Sequence, residues 1–193
     1  MLEIEERFKI NLEEKKKIKK KIFLLGAKTE FSGTVEDFIF IKKPFEHYYT
    51  RIRIKKEGSK LDIKIHQGNN FKEIETDISD PRAVAEMLKL FGLKPHLWIK
   101  RIREIYEIVF DNKKFEITFD DLENVGKFIE ISFLSDSENC GDCISRVKKK
   151  LNIKKKSQDA YGTIIRRKLM VDKVFRRMYK RRMRKRFENV LGN

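Results

Sequence analysis

Glu3, Glu5 and Arg7 stand at every second position of the opening segment Met1-Leu-Glu-Ile-Glu-Glu-Arg-Phe-Lys-Ile10. In an extended strand this spacing puts them, with Lys9, on one face, while Ile4, Phe8 and Ile10 take the other and Glu6 breaks the pattern. Alternation alone fits an ordinary half-buried strand whose charged face meets water. If that face is enclosed, each carboxylate costs several kcal/mol to desolvate. Glu3 and Glu5 would then need a divalent cation or several cationic side chains opposite them.

The same alternation recurs downstream with charges of both signs. Tyr49, Arg51, Arg53 and Lys55 share one face of a segment whose other face carries Ile52 and Ile54. Asp62, Lys64 and His66 alternate with Ile63 and Ile65, and Glu73, Glu75 and Asp77 continue the series. Further on, Arg101 and Arg103 share a face with Ile99 and Ile105. Glu116, Thr118 and Asp120 alternate with Phe115, Ile117 and Phe119, and Glu130 and Ser132 with Ile129, Ile131 and Phe133.

The elements that must carry these faces can be placed from local signals. Asn11 followed by Glu14 predicts a capping box and a helix over 12–25 with Ile18, Ile22 and Leu25 inward, stopped by Gly26; its six lysines between 15 and 21 form a solvated face. Residues 28–41 read as a hairpin turning near Ser32-Gly33, and Gly58 as the next turn. Asp80-Pro81 opens a second helix in N-cap and N1 positions, with Val84, Met87, Leu88 and Phe91 as its buried stripe. Strands follow over 98–110, around 115–120 with Lys113-Lys114 at the turn, and over 126–133. Trp98 reads as a core residue. The pattern predicts an α+β protein: an eight-stranded antiparallel sheet with flanking helices on its apolar side, suited to closure as a barrel, with a flat sheet whose charged face is solvated as the alternative.

Taken in order, these residues resemble the CYTH domains, the triphosphate tunnel metalloenzymes. Glu3-Ile-Glu5-Glu-Arg7 is similar to the family's Glu-x-Glu-x-Lys signature. Asp37-Phe-Ile-Phe40, Arg51-Ile-Arg53, Lys64, Glu73-Ile-Glu75, Arg101-x-Arg103-x-x-Tyr106, Asp120, Val125-Gly126-Lys-Phe128-Ile-Glu130 and Ala160-Tyr161 continue the match. The resemblance covers about residues 1–168 and implies a barrel whose charged interior forms a tunnel. It implies Mg²⁺ or Mn²⁺ held by Glu3, Glu5, Glu130 and Asp120, and a triphosphate gripped by Arg7, Arg51, Arg53, Lys64, Arg101 and Arg103. Glu3, Glu5 and Arg53 would carry the chemistry. The implied activity is phosphohydrolysis of an inorganic, thiamine or nucleoside triphosphate. The alternatives are a class IV-type adenylyl cyclase making cyclic AMP from ATP and a catalytically weak triphosphate-binding module. Two departures bear on activity: Arg7 stands for the usual Lys, and Ser132 stands where the family usually has a second Glu after Glu130, which puts a second metal or strong catalysis in question.

The chemistry suits these residue types. Guanidinium groups offer forked, permanently charged donors to phosphate oxygens. Mg²⁺ takes one or two carboxylates together with phosphate oxygens and water. Phosphoryl transfer is chiefly positioning and charge stabilisation.

The chain's net charge of +16 is unevenly placed. Residues 166–186 hold twelve Lys or Arg against Asp172 alone, a net +11 that leaves about +5 elsewhere. The domain expectation is therefore a barrel over 1–168 and a basic helical extension over 169–193. The stretch Tyr161 to Leu191 reads as one long helix with an apolar stripe through Val171, Phe175, Met178, Met183, Phe187 and Val190. Such a helix suits self-packing, a homodimer or nucleic acid held through residues 166–186, and an anionic membrane surface is a further reading. Cys140-Gly-Asp-Cys143 is a lone C-x-x-C, read as reduced structural cysteines at a helix start, with a disulfide or redox pair as the alternative. The three histidines (47, 66 and 96) lack zinc-finger spacing, and His66 shares the face of Lys64. No run reaches the ~20 apolar residues of a membrane span, and the acidic N-terminus offers no apolar signal region, so a cytoplasmic location is the default. The bias toward Lys, Glu and Ile, with Gln only at 67 and 158, suits a thermophile, and an AT-rich genome gives the same bias.

Overall fold

The computed structural model describes residues 2–42, 48–67, 70–135 and 141–192. The chain runs β1 (Leu2–Ile10), α1 (Leu12–Leu24), β2 (Lys28–Ile41), β3 (Tyr48–Lys55), β4 (Gly58–Gln67), β5 (Asn70–Ile78), α2 (Pro81–Leu90), β6 (Lys94–Phe110), β7 (Lys113–Leu122), β8 (Gly126–Ser135), α3 (Gly141–Leu151), α4 (Tyr161–Val171) and α5 (Lys173–Leu191). The strands form one antiparallel sheet in the order β1-β8-β7-β6-β2-β3-β4-β5, so the expected eight strands and flanking helices are borne out. Among the described residues the hydrogen-bonded ladder ends at β1 and β5.

Two compact units divide the chain inside β2 and β6: residues 1–33 with 101–160, and residues 34–100 with 161–193. In the first, the even-numbered side chains of β1 and the odd-numbered ones of β7 and β8 supply the apolar face. Phe8, Ile117, Ile129 and Ile131 are fully buried there beneath Ile18 and Ile22 of α1 and Ile144, Val147 and Leu151 of α3. The capping box is present, Asn11 accepting from the Glu14 amide while the Glu14 carboxylate accepts from the Asn11 amide. Such a cap is worth about 1 kcal/mol. Gly26, at φ 79°, provides the left-handed residue that ends the turn after α1.

In the second unit, Phe38 and Phe40 of β2, Ile52 of β3 and Trp98 of β6 pack with Ala85 of α2 and with Phe187 and Leu191 of α5. The Phe187 ring stands edge-on to both Phe38 and Phe40, at 5.0 and 5.6 Å. Trp98 is in the core as expected. Asp80 caps α2 through the amides of Arg82 and Ala83, with Pro81 as the first helical residue.

Five local expectations are corrected. Residues 28–41 are one continuous strand, with no turn at Ser32-Gly33. Gly33 has no left-handed backbone, and its missing Cβ leaves room for the Phe31 ring, 3.0 Å from where that atom would be. The β6–β7 turn is Asp111-Asn112, both at positive φ, rather than Lys113-Lys114, which pair in the ladder. Asp and Asn tolerate the two left-handed positions of this tight hairpin and Lys does not. Helix α2 buries Ala85 with Val84 and Leu88 partly covered, leaving Met87 56 % and Phe91 72 % exposed. Its apolar arc is wide enough for two adjacent stripes, and the small Ala85 lets the helix approach closely.

The basic C-terminal stretch is two helices, because Asp172 caps α5 by accepting from the Phe175 amide at 2.8 Å. Arg176 folds back and donates to the carbonyls of Leu169 and Met170, satisfying acceptors at the end of α4. The break rotates the buried stripe of α5 onto Phe175, Tyr179, Phe187 and Leu191, leaving Val171 and Met178 exposed.

Candidate active site

In each unit the face opposite the apolar core carries the charged residues singled out by sequence. Across the β1–β8 ladder Arg7 stands opposite Glu130, and Glu5 opposite Ser132. Arg7 Nη2 donates to Glu130 Oε2 in a short contact and to Glu5 Oε1 at 3.3 Å. Two carboxylates thus converge on one cationic nitrogen. Glu130 is 6 % exposed. Burial works against its charge, yet Arg7 and Arg103 prevail and hold its pKa below the usual carboxylate range. Arg7 is also tied to the segment before α4, donating from Nη1 to the Asp159 carbonyl, while its own carbonyl accepts from the Gln158 amide.

Beside this pair, Arg103 grips Asp120 with two donors, Nε to Oδ1 at 2.8 Å and Nη2 to Oδ2 at 2.5 Å. Arg101 Nε lies 3.4 Å from Asp120 Oδ1, and Arg103 also reaches to 4.0 Å from Glu130. Arg101, Asp120, Thr118 and Ser132 are all buried. In this first unit the structure therefore brings together Glu5, Arg7, Arg101, Arg103, Asp120 and Glu130. Glu3 lies on the same β1 face by register, opposite Leu134; its side chain is outside the described part.

The second unit assembles Arg51, Arg53 and Lys64. Arg51 is the hub: Nε donates to Asp62 at 2.7 Å, Nη2 to Glu73 at 3.0 Å, and Nη1 lies 3.5 Å from Asp37. Burial opposes its charge, but Asp37 and Asp62 overcome this and raise its pKa. Arg53 takes both oxygens of Asp37, at 2.8 and 3.3 Å. Lys64 Nζ pairs with Glu73 at 2.9 Å. Tyr49 stands opposite Lys64 in the ladder, and burial pushes its phenol up.

Sequence reasoning gave no site role to Asp37 or Asp62, which fix the two arginines. Asp37 was within a matched motif and Asp62 on a charged face; the missing signal was that β2 and β4 both border β3. Among the described residues, Asp62, Glu73 and Glu75 also place one oxygen each within 4.8 Å of the others, a possible cation site. Asp62 is fully buried and its Oδ1 has no hydrogen-bond partner, although Arg51, Lys64 and Lys60 already neutralise the group. The side chain of His66, all of His47 and Cys140 lie outside the described part. Cys143 is buried at the start of α3 and disulfide-bonded, which favours the disulfide alternative over the reduced reading.

The CYTH domain profile matches residues 1–162, and the chain belongs to the CYTH domain family. MJ0240 of Methanocaldococcus jannaschii, whose name assigns it provisionally to the adenylate cyclases, is 29 % identical over 170 residues, covering 80 % of this chain and 92 % of its own. The PH1012 protein of Pyrococcus horikoshii superposes with a TM-score of 0.70 at 28 % identity, covering 84 % of this chain and 99 % of that one. A Hippeastrum protein, described as an adenylyl cyclase candidate with a dominant triphosphatase activity, shares the fold at TM-score 0.63 and 13 % identity, covering 86 % of this chain and 94 % of that one. No helix among the described residues is long and apolar enough to cross a membrane.

Proposed function

We propose that this protein is a divalent-metal-dependent phosphohydrolase of a triphosphate compound. The observation that carries the reading is the convergence of Glu5 and Glu130 on Arg7 Nη2. Two carboxylate oxygens aimed at one point are the hard donors that Mg²⁺ or Mn²⁺ takes, so the residues fit such an ion, with Glu3 as a third ligand from the same strand face. Bound there, the ion would polarise a phosphoryl oxygen and neutralise developing charge.

The chain's own side chains do the positioning. Arg7, Arg101 and Arg103 are matched in charge by Glu5, Glu130 and Asp120, and Arg51, Arg53 and Lys64 by Asp37, Asp62 and Glu73. The acids fix each guanidinium before substrate arrives, which lowers the reorganisation needed at the reaction. The same balance means that a polyanion carrying about four charges needs a divalent ion to enter with it. Asp120 acts in this scheme by orienting Arg103 and Arg101, Arg53 by orienting a phosphoryl group.

A cyclase reading draws support from the name of the archaeal relative, and a weak binding module from Ser132 in the place of a second acid. A substrate panel of ATP, thiamine triphosphate and inorganic triphosphate with Mg²⁺ and Mn²⁺ separates the three. The proposal expects orthophosphate release. Pyrophosphate with cyclic AMP from ATP would establish the cyclase, and thermal protection by triphosphate without turnover would establish the module.

A further inference from the structure

The positive charge of the C-terminal helices is sorted by face. Toward its own unit, α5 directs Phe175, Tyr179, Phe187 and Leu191. Tyr179 both donates to the Trp98 carbonyl, at 2.5 Å, and accepts from the Trp98 amide, at 2.9 Å. Three of its arginines also have internal roles: Arg176 on the carbonyls of α4, Arg182 over the Trp98 ring at 5.7 Å, and Arg186 paired with Glu36 at 2.6 Å.

Outward stand Lys173, Arg177, Lys180, Arg181, Arg184 and Lys185, all exposed. At 100° per residue they fall within an arc of about 140° and span about 18 Å of helix. Arg184 alone meets an acid, Glu188 one turn on; among the described residues the other five pair with no carboxylate. Like charges at this spacing repel and destabilise a helix by a few tenths of a kcal/mol per pair. The exposed face of α1 carries three lysines, Lys16, Lys17 and Lys20, of which Lys16 pairs with Glu13, while the half-buried Lys15 and Lys19 pair with Glu104. The outward face of α5 carries twice as many cations over about 18 Å, a charge density that suits an external polyanion.

We infer that the outward face of α5 binds the phosphodiester backbone of a nucleic-acid duplex, without reading sequence. Its length of about 18 Å covers the axial rise of about five phosphates of one strand, at 3.4 Å of duplex axis each. Three of the six cations are Arg, whose fork suits phosphate oxygens. A lipid surface fits less well. An interfacial helix buries an apolar face about 5–10 Å deep, and the large apolar side chains of α5 face inward. Val174 lies within the cationic arc and Met178 beside it, at 71 % and 47 % exposed, a smaller apolar face than such insertion needs. The inference does not depend on the triphosphate reading.

The test measures binding of the full chain to a labelled duplex of about 20 bp, DNA and RNA in parallel, by fluorescence anisotropy across a salt series. With about five phosphates neutralised, log K falls by about 4.5 per tenfold rise in salt, an affinity loss of about 500-fold between about 50 and 200 mM. Arg177→Gln/Arg181→Gln/Lys185→Gln should reduce that slope to about 1.8, while the same positions carried as Arg177→Lys/Arg181→Lys/Lys185→Arg keep it near 4.5. Binding of both duplexes with these slopes supports the inference. Absence of binding at about 50 mM salt, or an unchanged slope in the triple Gln variant, overturns it. Capture by vesicles of phosphatidylcholine and phosphatidylserine without duplex binding also overturns it.

Discussion

Arg7 and Glu130 face each other across the β1–β8 ladder and make a buried, charge-assisted hydrogen bond. The guanidinium thereby occupies the point at which the carboxylates of Glu5 and Glu130 meet, and it relieves the repulsion between them when no metal is bound. The usual Lys at this position is a single point charge; Arg7 reaches both acids and the Asp159 carbonyl together.

Replacing this arginine should therefore expose the acids to each other. Arg7→Met is expected to destabilise the protein by about 3 kcal/mol, since removing one partner leaves a buried charge uncompensated. Mg²⁺ should then raise the melting temperature of the variant by more than that of the parent, because the ion replaces the missing cation. Thermal melts with and without Mg²⁺ check this, and a variant as stable as the parent in both conditions would contradict it.

Arg51 and Arg53 look equivalent in sequence and are not equivalent in the structure. Arg51 is 7 % exposed and serves Asp37, Asp62 and Glu73. Arg51→Ala should cost about 3–5 kcal/mol, by leaving the fully buried Asp62 without its counter-ion, and Asp62→Asn in the same chain should recover part of that loss. Arg53→Ala leaves Asp37 beside Arg51, so its stability cost should stay near 1 kcal/mol. Its main effect should be weaker triphosphate binding. Denaturant melts alongside calorimetric titration with triphosphate distinguish the two, and equal stability losses would contradict the hub role of Arg51.

Glu104 gives a pH signature remote from the charged sheet face. It accepts from Lys15, Lys19 and Tyr106, and although burial opposes its charge these hydrogen bonds pull its pKa down to about 2 from 4.5. A carboxylate held low stabilises the fold above its unfolded pKa and loses that contribution as pH falls from about 4.5 toward 2. Allowing for solvent screening at this partly exposed site, the contribution at neutral pH is about 1–2 kcal/mol. Glu104→Gln should therefore be less stable than the parent at pH 7, with the gap closing over that acid window. A gap independent of pH would assign the loss to packing instead.

Much of the charged face was legible because a strand's period of two is unambiguous. Once Glu5 and Arg7, Arg51 and Arg53, Glu116 and Asp120, and Glu130 alternate with apolar residues, the charged face of each strand follows. Asn11 with Glu14 and Asp80 with Pro81 are local signals, and both caps formed as the spacing predicts. What failed to show was set by tertiary neighbours. Ser32-Gly33 has turn-forming residues, but the ladder holds it extended. Met87 and Ala85 each fit an apolar helical stripe, and contact with α5 decided between them. Asp37 and Asp62 became visible as arginine anchors only when β2 and β4 were found on either side of β3. Asp172 was the lone acid in a basic run, and reading it as a cap would have divided the long helix.

The central claim is that a divalent ion held by carboxylates of β1 and β8 supports turnover of a triphosphate. Orthophosphate release from inorganic triphosphate, followed during a Mg²⁺ titration in the parent and in Glu5→Gln, tests it most directly. Glu5 is partly exposed at the edge of the Arg7 pair, so its amide keeps the fold while removing one charged ligand. The account predicts saturable, Mg²⁺-dependent release in the parent and loss of the metal-dependent part in Glu5→Gln. Identical Mg²⁺ titration curves in the two proteins would contradict it.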